Sequence, residues 1–182
     1  MRAKERTKAS FRKECLHRLR RASKKNGYKR DKLVVSALYD YLQAQKAQTI
    51  MLYLPLGTEV DVAPLIRRLR QEGKSVYVPF MEGESFRLVK YRYPLYKKKF
   101  GVKEPKYSRQ YRSKKIDIAI VPIVGVDAAY RRIGFGKGMY DRFFEKEMKN
   151  IKKVVFVARE LCYAKEVITD HYDVKADHII AP

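Results

Sequence analysis

Two runs, Ile116 to Val124 (IDIAIVPIV) and Lys153 to Ala158 (KVVFVA), carry apolar side chains at most positions. As strands they are apolar on both faces and must be covered on both, which is the situation of a parallel sheet flanked by helices. Between them lie a glycine-rich loop and a helical stretch, Gly138 to Asn150, so the region is expected to form one βαβ unit. Upstream, Phe11, Cys15, Leu16 and Leu19 recur at helical spacing in a segment from Lys8 to about Lys24, closed by Asn26-Gly27. A second helix is expected from Asp31 to about Lys46. It is followed by a β-rich run from Thr49 to Leu56, a helix from Val62 to Glu72 closed by Gly73, and a strand from Ser75 to Phe80. A last strand is expected at about His178 to Ala181. This order predicts an α/β fold, a three-layer α/β/α arrangement with a mostly parallel central sheet. With 182 residues, 46% of them hydrophobic, the chain can bury one core and is expected to form a single domain over 1–182. Residues 81 to 115, rich in Tyr, Lys and Arg, break the pattern and predict a loop or a short antiparallel excursion with a functional purpose.

The charge is uneven. Residues 1 to 30 hold 13 Lys and Arg against Glu5 and Glu14, residues 87 to 115 hold 12 against Glu104, and the remaining chain is neutral within a formal total of +22. Two basic segments on a neutral body predict a localised site for an anion. Cys15 and Cys162 are far apart and lack CxxC spacing, so neither a disulfide framework nor a zinc cluster is expected, and a reducing cytoplasm is the expected setting. His17, His171 and His178 show no metal spacing either. The N-terminus has no apolar signal core and no stretch is long enough to span a bilayer, so no membrane association is expected.

The loop between the buried strand and the helix reads Arg131-Arg132-Ile133-Gly134-Phe135-Gly136-Lys137-Gly138-Met139-Tyr140-Asp141-Arg142. Glycines at every second position let the backbone approach a ligand and leave amide N–H groups for phosphate oxygens. The following helix adds its N-terminal dipole, and Arg132 and Lys137 add positive charge. The spacing matches neither the Walker A loop nor the GxGxxG fingerprint.

As a string, RIGFGKGMYDR resembles the signature of the 5-formyltetrahydrofolate cyclo-ligase (methenyltetrahydrofolate synthetase) family, whose pattern is close to RLGxGxGYYDR. Lys8-Ala-Ser-Phe-Arg12 resembles the family's K-x-x-L-R, and Leu54 to Asp61 (LPLGTEVD) resembles its strand-end segment. Gly73 to Pro79 (GKSVYVP), Phe100 to Pro105 (FGVKEP) and Asp173 to Ile180 (DVKADHII) resemble later motifs in the same order. Tyr130 stands where the family usually has Gly, Met139 where it has Tyr, Tyr172 where it often has His, and Ala181 where Thr is common.

The resemblance implies ATP-dependent cyclisation of 5-formyltetrahydrofolate to 5,10-methenyltetrahydrofolate with release of ADP and phosphate, and Mg²⁺ as cofactor. It implies that Lys8, Arg12, Arg132, Gly134, Phe135, Gly136, Lys137, Gly138, Met139 and Tyr140 bind ATP. Leu54 and Glu59, with Phe135, Gly136, Lys137, Gly138 and Met139, are implied on the folate side, and Asp141 and Asp173 at the metal. Lys137 and Arg132 are expected to stabilise charge developing on the transferred phosphoryl group. The folate could carry a polyglutamate tail held by residues 87 to 115, and the enzyme is expected to be a monomer. Two other readings remain open. Tyr and basic residues interleaved over 87 to 115 suit a nucleic-acid groove, though no RNA-binding motif accompanies them. The layer order also suits a sugar-phosphate or CoA enzyme.

Overall fold

The computed structural model describes residues 7–98, 101–106 and 115–182. Its first helix opens on a reciprocal cap: Thr7 Oγ1 accepts from the Ser10 amide at 3.2 Å, and Ser10 Oγ accepts from the Thr7 amide at 3.1 Å. Helix α1 (Lys8–Lys24) then buries Phe11, Cys15, Leu19 and Ala22 on one stripe. In chain order follow α2 (Gly27–Ala44), β1 (Thr49–Met51), α3 (Ala63–Gln71), β2 (Ser75–Glu82), β3 (Ser85–Lys90), β4 (Leu95–Lys97) and β5 (Lys103–Pro105). The second half contains β6 (Ile116–Pro122), β7 (Gly125–Val126), β8 (Arg132–Ile133), α4 (Met139–Glu147), β9 (Ile151–Val157) and β10 (His178–Ile180).

Six strands form the main sheet in the order β10-β9-β6-β1-β2-β3. All its pairs are parallel except β2 with β3. Successive side chains on a strand face opposite ways. Accordingly Ile50, Leu52, Val76, Val78, Ile118, Ile120, Val155 and Val157 join Val34, Leu38 and Leu42 of α2 and Leu65, Ile66 and Leu69 of α3 in one core. The alternate residues Met51, Tyr77, Ala119, Val121, Val154 and Phe156 pack with Phe143 and Phe144 of α4. The expected three-layer arrangement and the βαβ unit are both present. Helix α1 closes a third cluster with Val124, Ile133, Cys162 and Ala164. No helix among the described residues is long and apolar enough to cross a membrane.

The differences from expectation have local causes. The Thr49 to Leu56 run is a ladder strand only over Thr49–Met51. Leu52 still donates to the Tyr77 carbonyl at 2.8 Å, but Pro55 has no amide to donate, and a turn closed by Glu59 N to Leu56 O at 3.0 Å draws the chain off the sheet. In the 81 to 115 region, β3 extends the main sheet around Gly83 (φ 59°) and β4 pairs with β5. Lys99, Phe100, Tyr107 and Tyr111 of the basic segment lie outside the described residues. The β7–β8 hairpin was not expected, and neither was the disulfide joining Cys15 to Cys162 across 147 residues of chain. Cysteine spacing speaks only to local motifs; here the packing of α1 on the segment after β9 brings two distant thiols together. That bond also removes the cysteine argument for a reducing compartment.

Because the bond closes a long loop, it restricts the unfolded chain substantially. Replacing Cys15 and Cys162 by Ala is expected to lower unfolding free energy by about 2–5 kcal/mol. Urea unfolding with and without reductant checks this: reductant should destabilise the parent and leave the double variant unchanged.

Candidate active site

The segment from β8 into α4 is shaped by three arginines. A Cβ on Gly134 would overlap the Arg132 guanidinium, so a side chain there would have to displace that group. Gly138 has φ 64° and is the residue preceding α4, and a side chain there would meet Arg142. Arg142 donates to the Lys137 carbonyl at 2.6 Å and to the Glu84 carbonyl at 2.9 Å, tying the loop to the β2–β3 turn. From α1, Arg12 Nε donates to the Gly134 carbonyl at 2.8 Å. Phe135, Gly136 and Lys137 form the exposed crest of the loop, and Met139 packs inward against the α4-side core.

Arg132 lies beneath this crest, only 6% exposed. Its Nε donates to the Pro122 carbonyl at 3.1 Å, and its guanidinium stands 4.6 Å from the Tyr140 ring centre. Burial lowers its pKa, while the charges of Tyr140, Asp141, Glu59 and Asp173 act in the opposite sense. Of these four side chains only Tyr140 contacts Arg132; the three carboxyl groups, from the β1 loop, α4 and the C-terminal turn, act on it through their charge.

Glu59 follows β1. Its Oε2 accepts from the Leu56 amide at 2.7 Å. Its pKa rises to about 7, chiefly because protein surrounds the carboxyl; the Leu56 hydrogen bond and the charges of Arg132 and Arg159 act against the rise. It nonetheless keeps partial solvent access, which places it in a recess and not in the core. Tyr140 is pushed up by burial and by the Glu59 charge. Leu54 is half-buried against the α2–α3 core. The recess thus offers an apolar wall, and a carboxyl able to accept or donate a hydrogen bond near neutral pH.

Lys8, one turn before Arg12, sends Nζ to Asp173 Oδ2 at 2.5 Å and to Asp170 Oδ2 at 3.4 Å. The expected phosphate ligand and one expected metal ligand are therefore ion-paired. Asp141 differs: its Oδ1 is buried with no hydrogen-bond partner among the described residues. No group of three or more His, Cys, Asp or Glu able to hold a metal occurs among the described residues. One orphaned carboxylate oxygen fits an ion whose other ligands are waters and phosphate oxygens.

Two networks had no sequence signal. Asp127, fully buried, accepts from the amides of Ala129, Arg131, Ile168 and Thr169 and from the Thr169 hydroxyl. Burial opposes its charge, but these bonds prevail and its pKa falls. It fixes the turn in which Tyr130 adopts φ 56°, the left-handed conformation that suits the glycine usual in the pattern noted above. The second network is centred on Arg159 and Asp31.

A model of the 5-formyltetrahydrofolate cyclo-ligase family matches residues 4–182. The chain is 29% identical to the 5-formyltetrahydrofolate cyclo-ligase of Haemophilus influenzae over 140 residues, 73% of this chain and 75% of that one. It is 26% identical to the Escherichia coli K12 protein of the same name, over 75% and 79% of the two chains. The solved structure of Aquifex aeolicus 5,10-methenyltetrahydrofolate synthetase superposes with TM-score 0.79 at 29% identity, covering 96% of this chain and 89% of that one. The Mycoplasma pneumoniae synthetase, at 22% identity and TM-score 0.72, shares the fold over 95% of this chain and 97% of its own.

The Glu59 environment has a stability consequence. Its folded pKa exceeds the unfolded value of 4.5, so the folded state holds the proton more tightly, and stability falls as pH rises from 4.5 through about 7. Glu59→Gln removes this dependence. Relative to the parent, the variant should gain on the order of 2 kcal/mol between pH 5 and pH 8, read by urea unfolding at both values.

Proposed function

The chain belongs to the 5-formyltetrahydrofolate cyclo-ligase family, and from that membership we propose that it converts 5-formyltetrahydrofolate and ATP to 5,10-methenyltetrahydrofolate, ADP and phosphate. It is an enzyme of folate metabolism, a carbon–nitrogen ligase. The observation that carries the residue assignment is Arg132, buried against Gly134 of the loop that Arg12 fastens from α1 and lying within electrostatic reach of Glu59.

The formyl oxygen is a poor leaving group. Transfer of the γ-phosphoryl group makes it a phosphate ester, which departs after N10 attacks the formyl carbon. The protein's task is to align two substrates and to stabilise charge on the phosphoryl group, with no nucleophilic side chain required. The loop Gly134 to Gly138 and the start of α4 would receive the phosphates with their amides. Arg12 holds that loop in place, and Lys8 would share its ammonium between Asp173 and phosphate. Lys137, exposed on the crest, would meet the transferring group, with Arg132 supplying fixed charge below it. Leu54, Phe135 and Met139 would offer apolar surface to the pterin, and Glu59 would hydrogen-bond it. Asp141, with Asp173, would hold Mg²⁺, whose charge would offset that of the phosphates.

We assign the exposed Lys97, Lys98, Lys103 and Lys106 to the polyanionic tail of a polyglutamylated folate. A nucleic-acid platform on the same segment would have Tyr93 and Tyr96 as its exposed rings, Tyr91 being buried, and we prefer the folate tail because the chain belongs to the cyclo-ligase family. We take the enzyme to act as a monomer; the Cys15–Cys162 bond withdraws the cysteine argument for a cytoplasmic setting.

Mixing the protein with 5-formyltetrahydrofolate and MgATP should produce the methenyl absorbance, and the absence of that signal with folded protein would overturn the assignment. Lys137→Ala should fold normally and lose about 100-fold to 1,000-fold in kcat/KM, the effect of deleting one preorganised charge donor. Near-parent kinetics would remove Lys137 from the mechanism.

A further inference from the structure

Arg159 follows β9 and belongs to no part of the nucleotide cradle, yet it is only 9% exposed. Every guanidinium nitrogen is engaged. Nε donates to Asp31 Oδ1 at 2.6 Å and Nη2 to Asp31 Oδ2 at 2.7 Å. Nη1 donates to Ser23 Oγ at 2.9 Å and to the Gly57 carbonyl at 2.7 Å. Its main chain is held as well: Arg30 Nη1 donates to the Arg159 carbonyl at 2.9 Å, and Arg18 pairs with the next residue, Glu160, at 2.7 Å. One side chain therefore ties α1 through Ser23 and α2 through Asp31 to the loop after β1.

A buried ion pair contributes little net stability, because removing both charges from water offsets most of their attraction. What a fork of fixed N–H donors supplies is geometry. Among the four contacts, only the Gly57 carbonyl belongs to a segment proposed to touch substrate. Gly57 has no side chain, and a Cβ placed there would meet nothing within 4 Å, so packing does not anchor that point of the loop. Two residues later comes Glu59, whose carboxylate is steadied locally by the Leu56 amide.

We propose that Arg159 is a positioning residue for folate: through the Gly57 carbonyl it holds the Leu54–Glu59 loop, and with it the Glu59 carboxyl, at the folate side of the recess. The proposal rests on the folate role given to Glu59 above. The Arg159 charge is also felt at Glu59 and Tyr53, as expected of a cation lying beside that loop.

Arg159→Lys separates geometry from charge. It keeps a cation facing Asp31, but a single nitrogen cannot serve Asp31, Ser23 and Gly57 in the fork arrangement. The variant should melt within a few degrees of the parent and raise the KM for 5-formyltetrahydrofolate about tenfold. Its kcat should stay within about threefold and its KM for ATP within about twofold, the pattern of lost substrate positioning. Arg159→Gln should act in the same direction and more strongly. In a Glu59→Gln background, Arg159→Lys should add less than about twofold, because the residue it positions is already disabled. A normal folate KM in Arg159→Lys, beside a raised one in Glu59→Gln, would overturn the positioning role alone. Full additivity in the double variant, or a parallel rise in the KM for ATP, would overturn it too. A normal folate KM in Glu59→Gln would overturn both this proposal and the folate role of Glu59.

Discussion

Arg132 is a guanidinium withdrawn from water, and such a group is tolerated only where acceptors and negative charge surround it. The Pro122 carbonyl at the end of β6 and the ring of Tyr140 contact it, and the charges of Glu59, Asp141 and Asp173 act on it without pairing with it. The β1 loop, the start of α4 and the C-terminal turn thus lie within electrostatic reach of one buried cation. The same arrangement keeps the Glu59 proton within reach of neutral pH, since burial raises its pKa and Arg132 limits the rise.

The sheet explains why the convergence falls where it does. Its parallel strands are covered by α2 and α3 on one face and α4 on the other, so ligands are left to the edge where the strands end and the loops begin. The chain after β1 and after β9 leaves from that edge and carries Glu59 and Arg159, and the chain after β6 forms the β7–β8 hairpin that holds Arg132. Helix α1 belongs to neither covering layer. Its apolar stripe packs on Val124, Ile133 and Ala164, and four side chains fasten it further: the disulfide at Cys15, Arg12 on the glycine loop, Lys8 on Asp173, and Arg18 on Glu160. That is how the strongly basic N-terminal segment becomes a wall of the site. Among its described residues, Lys8 and Arg18 turn inward to carboxylates and Arg12 to a backbone carbonyl.

Much of this was legible in the chain because it depends on local order. Helical spacing located α1 and α3 to within a residue or so, and the doubly apolar runs specified β6 and β9 as covered parallel strands. The glycines at 134, 136 and 138 marked a backbone that nears something, and Arg12 and Arg132 prove to be among their neighbours. Lys8 and Arg12, four residues apart and so on one face of α1, reach the Asp173 turn and the glycine loop from it.

What the sequence could not carry was pairing at a distance. Cys15 and Cys162, Arg159 and Asp31, and Lys8 and Asp173 are separated by more than a hundred residues, and no periodicity encodes which partner an isolated charge or thiol will meet. The pKa of Glu59 was equally out of reach, because desolvation is a property of what surrounds a carboxyl in space. By itself the sequence determined the layers and the glycine-rich loop, which follow from short-range pattern, while the candidate site residues were named by the family resemblance. The tertiary structure alone decided which of those residues are buried, which neutralise one another, and that Arg159 braces the loop of Glu59, since those outcomes arise only when distant segments share one desolvated space.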